Sequence, residues 1–111
     1  MERTMNMKAL FIILNAGFSE EIIALVREAG VMGATIMNAR GTGAQHAKFL
    51  GITVDTEKEL LICITDEDTA NKAMMAAKEQ MGIKTPAHCI CFTMPVDKTV
   101  GISGAVPKAE Q

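Results

Sequence analysis

The sequence predicts an α+β domain of order βαββαβ, a four-stranded antiparallel sheet with two helices on one face. Three observations predict it. Three dense apolar runs of strand length and a fourth, more mixed one recur along the 111 residues, and two intervening stretches repeat their apolar residues at helical spacing. Glycine, proline or helix-capping residues stand at nearly every boundary between them.

The first strand is read over Met7 to Leu14, rich in Ile and Phe, and it is broken by Asn15-Ala16-Gly17. Ser19 is the expected N-cap of the first helix, with Glu20 and Glu21 complementing its dipole. Ile22, Ile23, Leu25, Val26 and Ala29 form the apolar stripe, and Gly30 stops the helix. Thr35 to Arg40 is the second strand and runs into Gly41-Thr42-Gly43. A mixed segment follows from Ala44 to about Thr56. Glu59 to Thr65 is the third strand. Asp66 or Asp68 can cap the second helix, whose stripe is Ala70, Ala73, Met74, Ala77 and Met81, with Met75 facing outward. Gly82 and Pro86 end it. His88 to Met94 is the fourth strand, stopped by Pro95, and Thr99 to Ile102 can add a short fifth. One domain is expected over residues 7–102, with flexible termini at 1–6 and 103–111.

This order is the split-βαβ, ferredoxin-like arrangement. Right-handed crossovers place both helices on one face, the first and third strands at the centre, and the fourth strand beside the first. Alternation along the strands then carries a consequence for function. Ala9, Phe11 and Ile13 point one way and Leu10, Ile12 and Leu14 the other. The third and fourth strands are equally apolar on both sides. Two helices cover one face only. The second face is therefore expected to be buried against other copies of the chain, because an open apolar sheet is a liability in a soluble monomer.

Composition excludes several classes. A net charge of −2, no Trp or Tyr and only four Phe argue against nucleic-acid binding, which needs cations and stacking rings. The run Ala9 to Leu14 behind Lys8 is too short to span a membrane and has no cleavage site after it, so a cytoplasmic protein without membrane insertion is expected. Cys63, Cys89 and Cys91 make an odd set with no CxxC, which fits reduced core thiols. No Ser-His-Asp or Cys-His arrangement suggests catalysis. Asp66-Glu67-Asp68 reads as helix capping ahead of a cation site. Glu57 and Glu59 read as a solvated strand edge.

Three motifs, in order and spacing, carry a resemblance: Val31-Met32-Gly33-Ala34-Thr35-Ile36, Ala39-Arg40-Gly41-Thr42-Gly43, and the run from Phe92 through Met94-Pro95-Val96-Asp97 to Ile102. Over about Met7 to Ile102 the chain resembles the P-II family of nitrogen-regulatory signalling proteins, in its short-loop, divergent branch. The resemblance implies a homotrimer whose central strands face a threefold axis. It also implies a nucleotide-type ligand (ATP, ADP or AMP) between neighbouring subunits, and a loop after the second strand that touches a transporter or enzyme partner. The family's Lys-bearing loop corresponds to Met81 to Ala87, while its two late arginines fall on Gly101 and Ser103. The partner loop, Ala44 to about Glu57, is shortened. With no Tyr in the chain, uridylylation is excluded.

The expected ligand site is Arg40, Gly41, Thr42, Gly43, Gln45, Lys84 and His88. As a bare motif Gly41-Thr42-Gly43 is a turn, but its N–H groups can also cradle an anion. The expected partner contacts are His46, Lys48, Phe49 and Leu50, in a stretch whose apolar residues fit either a packed hairpin or a sticky surface. Two further readings stay open. One is a metal-responsive trimer similar to the copper-tolerance proteins, using His46, His88 or a loop thiol; the other is an interaction module without a ligand.

Overall fold

The computed structural model describes residues 2–3, 6–42, 47–49, 52–54 and 56–102, with side chains over 6–42 and 57–102. The elements are β1 (Glu2–Arg3), β2 (Met7–Asn15), α1 (Ser19–Ala29), β3 (Thr35–Gly41), β4 (Ala47–Phe49), β5 (Ile52–Val54), β6 (Thr56–Asp66), α2 (Glu67–Met81), β7 (Ile90–Pro95) and β8 (Lys98–Thr99). The main sheet is antiparallel in the order β3-β6-β2-β7. The ferredoxin-like α+β architecture is thus present, with the expected strands at its centre.

The helix ends follow local chemistry. Gly30, at φ 116°, adopts a left-handed conformation that glycine tolerates best. Its N–H donates to Arg27 O and that of Val31 to Val26 O, both at 3.0 Å, which satisfies carbonyls left open at the end of α1. At the other end, Ser19 is already helical. The N-cap is Phe18, which makes no side-chain cap, so the acidic first turn of Glu20 and Glu21 carries that end. For α2 the expected cap holds: Asp66 Oδ1 accepts the Thr69 N–H at 2.8 Å, and Thr69 Oγ1 donates to Oδ2 at 2.9 Å. These contacts, the backbone one foremost, hold the Asp66 carboxyl below its usual range.

The core lies between helices and sheet. Leu10, Ile12, Leu14, Leu61 and Cys63 from the strands meet Ile22, Leu25, Val26, Ala73 and Ala77 from the helices. Alanines on α2 let the helix sit close to the sheet. Cys63 contributes to the alkaline limb of stability. Burial pushes its thiol from 9.0 up to about 11. The fold therefore holds this proton more tightly than the unfolded chain does. The contribution, about 3 kcal/mol, is whole below about pH 9 and is lost as pH rises through about 11. Chemical unfolding of the protein and of Cys63→Ala across that window checks it: the variant should show the shallower decline.

Among the described residues no element covers the opposite sheet face. Registers set Ile64, Ala9 and Met94 in one row, Ile62, Phe11 and Phe92 in the next, and Leu60, Ile13 and Ile90 in a third. Phe11 and Phe92 stack with centroids 4.9 Å apart. Ile90, Phe92 and Met94 remain 53%, 42% and 52% exposed.

Three boundaries differ from expectation. Glu2–Arg3, read as part of a loose leader, pair with Lys98–Thr99, so the short late strand lies one residue earlier than expected and ends at Thr99, short of Ile102. The third main strand begins earlier, at Thr56, because Arg40 and Gly41 extend the ladder against Glu57 and Thr56. The fourth begins later, at Ile90, because His88 takes φ 48°, outside extended geometry.

Candidate functional site

Two open cavities flank the sheet at its opposite edges. The first, about 600 Å³, lies on the β3 side and is walled by Met32, Gly33, Ala34 and Thr35, by Ile62 to Asp66, and by Gly101 and Ile102. The turn after α1 positions its mouth, since the Gly30 cap sends the chain directly across the end of the helix. The second, about 570 Å³, lies on the β7 side, between the end of α2 and the loop that follows it. Lys78, Glu79, Ile83, Lys84, Cys89 and Cys91 line it.

That loop is held by a dense set of hydrogen bonds. The Thr85 N–H and hydroxyl both donate to Gly82 O, at 3.0 and 2.8 Å. The His88 N–H donates to Thr85 O at 3.1 Å, and the Cys89 N–H to Met81 O at 2.8 Å. Asn15 ties the loop to the sheet. Its N–H donates to Ala87 O at 2.9 Å and its amide Nδ2 to Pro86 O at 2.8 Å, while its Oδ1 accepts from Lys58 Nζ at 2.6 Å. Asn15 and Lys58 are thus positioning residues that sequence reasoning missed. At a strand end Asn15 reads simply as a turn former, and only the fold brings it to Pro86.

The expected ligand residues divide between the two edges. Arg40 lies on β3 and is exposed, as is Glu57, whose carboxylate is 3.9 Å from the guanidinium. So long and open a pair contributes little to stability, and it leaves Arg40 able to exchange partners. Gly41 ends β3, with Thr42 exposed beside it. Gly43, Gln45 and His46 lie outside the described residues, as does Leu50. Lys48 and Phe49 fall on β4, which pairs with β5 in a hairpin of register Ala47↔Val54 and Phe49↔Ile52. The backbone of that stretch thus forms a two-stranded hairpin.

Lys84 lines the second cavity. His88 is exposed nearby, with Nδ1 3.1 Å from Ile83 O; the proton on Nδ1 makes this a donated bond. The β3 terminus and the Gly82–Cys89 loop lie at the same end of the sheet, because Arg40 opposes Glu57, Asn15 opposes Lys58 and Ile13 opposes Ile90. They are three strand spacings apart, about 14 Å. Within one chain these two groups of residues do not meet.

Cys89 and Cys91 bring their Sγ atoms to 4.0 Å, and Cys89 Sγ donates to Ala77 O at 3.5 Å. Burial first, and then Cys89 beside it, pushes the Cys91 thiol up to about 12. Among the described residues no group of three His, Cys, Asp or Glu side chains could hold a metal ion.

The structure thus has a ferredoxin-like sheet with an apolar face exposed at β7 and open cavities beside its edges. Residues 7–105 match the family described as nitrogen regulatory protein P-II, and the chain belongs to that family. The structure of B. subtilis GlnK superposes with a TM-score of 0.69 at 17% identity, covering 89% of this chain and 92% of that one. CPII, a nitrogen regulatory PII-like protein from Thiomonas intermedia K12 solved with ADP, AMP and bicarbonate, gives 0.66 at 20% identity, over 86% and 96%. A PII-like signalling protein from Thermus thermophilus, TTHA0516, gives 0.61 at 20%, over 81% and 89%. At these identities the likeness is one of fold. A search of curated protein sequences finds no match.

Proposed function

We propose that this chain is a homotrimeric sensor that holds a small effector, an adenine nucleotide, between subunits and reports it through the segment after β3. The observation that carries the reading is that Arg40, near the end of β3, and the Gly82–Cys89 loop beside β7 lie at one end of the sheet on its opposite edges. In a closed ring with head-to-tail interfaces, one edge of each subunit meets the other edge of the next. Arg40 of one subunit then comes within reach of the Gly82–Cys89 loop of its neighbour, and these two groups are the half-sites that join. The uncovered face of β6, β2 and β7 supplies the apolar surface for that assembly.

Support for the ligand class comes from relatives of the same fold. CPII was solved with ADP, AMP and bicarbonate, and B. subtilis GlnK has also been solved with ATP. In this chain Gly101 and Ser103 stand where the family carries arginines, so the phosphates fall to Arg40, Lys84 and the N–H groups of Gly41 to Gly43. His88 and Gln45 complete the proposed site. Effector binding favours one arrangement of the Ala44–Glu57 segment over another, and the difference in affinity between the two sets the size of the response. His46, Lys48, Phe49 and Leu50 then contact a transporter or enzyme in the cytoplasm. No helix among the described residues is long and apolar enough to cross a membrane. The protein acts by binding, without catalysis.

Nucleotide titrations of Arg40→Ala and Lys84→Ala test the site. Each variant is expected to bind about tenfold more weakly, as for one charge-assisted contact. Unchanged affinity in both would remove these residues from the site.

A further inference from the structure

Cys89 and Cys91 flank Ile90 at the start of β7, and nucleotide sensing has no use for either thiol. Both are free, both line the second cavity, and their sulfur atoms stand 4.0 Å apart. A disulfide between them is unfavourable. Residues i and i+2 of a strand have Cα atoms about 6.8 Å apart, at the upper limit for a disulfide, and joining them would pucker the strand. The spacing suits an atom placed between the sulfurs.

We propose that Cys89 and Cys91 form a two-sulfur site for a soft monovalent metal ion, Cu(I). With metal–sulfur bonds of about 2.3 Å, the observed separation corresponds to a bent S–metal–S unit of about 120°. Widening the pair by about half an ångström makes the unit linear. Side-chain torsions supply that movement without shifting the strand. Soft thiolates select Cu(I) over hard cations. Zinc in a structural site takes four ligands, and the described residues bring no three donors together.

Binding is an exchange without redox change. Each thiol releases its proton to water, each thiolate donates a pair to Cu(I), and the product is an RS–Cu–SR unit of charge −1. The charged groups on the cavity wall are Lys78 and Glu79 from α2 and Lys84 from the loop. The two lysines outweigh the glutamate and offset the anionic product. On the sheet side the cysteines meet only the apolar strand β2, where Cys91 opposes Ile12. β7 is an edge strand of the main sheet, so the ion enters from the cavity without opening the core. Cys63, buried on β6 with β2 between, is out of reach of the pair and serves as the internal control.

The test is a titration of the reduced full-length protein with Cu(I) against a chromophoric chelator such as bathocuproine disulfonate. The protein is expected to withhold one copper per chain. Cys63→Ser should keep that copper, and Cys91→Ser should lose it while circular dichroism stays unchanged. If Cys91→Ser fails to fold, X-ray absorption on the copper-loaded wild type decides: a first shell of two sulfurs supports the site, and a nitrogen or oxygen shell overturns it. Copper left entirely to the chelator, copper kept by the Cys89→Ser/Cys91→Ser double variant, or one copper per two chains would each overturn it as well.

Discussion

Replacing Phe92 by glutamate is expected to convert the assembly to monomers while leaving each domain folded. Phe92 projects from the sheet face away from the helices, 42% exposed and stacked on Phe11. Its neighbours across the register, Ile62 and Phe11, and those along β7, Ile90 and Met94, are all apolar. In a ring that buries this face, every copy of the variant would carry a carboxylate into a surface with no partner for it. Burying such a charge costs several kcal/mol per subunit, and like charges from neighbouring copies add to it. Phe92 contributes nothing to the helix-facing core, so circular dichroism should be unchanged. Sedimentation at micromolar concentration reads the result. Retention of the wild-type mass by Phe92→Glu would mean that this face is not the interface.

Gly82→Ala is expected to cost about 3 kcal/mol, as overpacking against rigid backbone does. The reason is steric. A Cβ on Gly82 would sit 2.4 Å from Lys78 O, and a backbone carbonyl inside a helix cannot yield as a flexible side chain can. At φ −78° the residue needs no glycine for its torsions, only for its lack of a side chain. Relief requires moving the loop that carries Lys84 and His88, so nucleotide affinity should fall together with the melting temperature. For a domain of this size the drop in Tm is roughly 10–20 °C. Gly33→Ala is the control, since its added Cβ meets nothing within 4 Å, and it should change the stability little. Equal melting temperatures for Gly82→Ala and the wild type would show that the helix end relaxes freely.

The fold was legible in the sequence because its signals are local. Strand-length apolar runs, the Gly30 stop and the Asp66 cap each act within a few residues, and each is where the pattern places it. The uncovered face was legible too, because alternation in β2, β6 and β7 needs only the count of helices available to cover it. Ser19 misled because a Ser before two Glu is a good cap in sequence, yet the chain turns one residue earlier at Phe18.

The site was harder to read, since its parts come together only through packing. Met32 to Thr35 carried part of the resemblance, and the cavity it walls, at the far end of β3 from Arg40, exists only once Ile62 to Asp66 and Gly101 stand beside it. The link from Lys58 through Asn15 to Pro86 joins residues far apart in the chain. Arg40 and Lys84 were singled out as cations near glycine turns. The three strand spacings between them explain why one chain presents two half-sites.

The central claim is that the joined half-sites bind an adenine nucleotide. It is tested most directly by isothermal calorimetry with ATP, ADP and AMP, on protein whose mass in solution has been measured. A trimer that binds one nucleotide per chain is the result expected here. A confirmed trimer that gives no heat with any of the three would contradict the claim, leaving the fold of the family without its ligand.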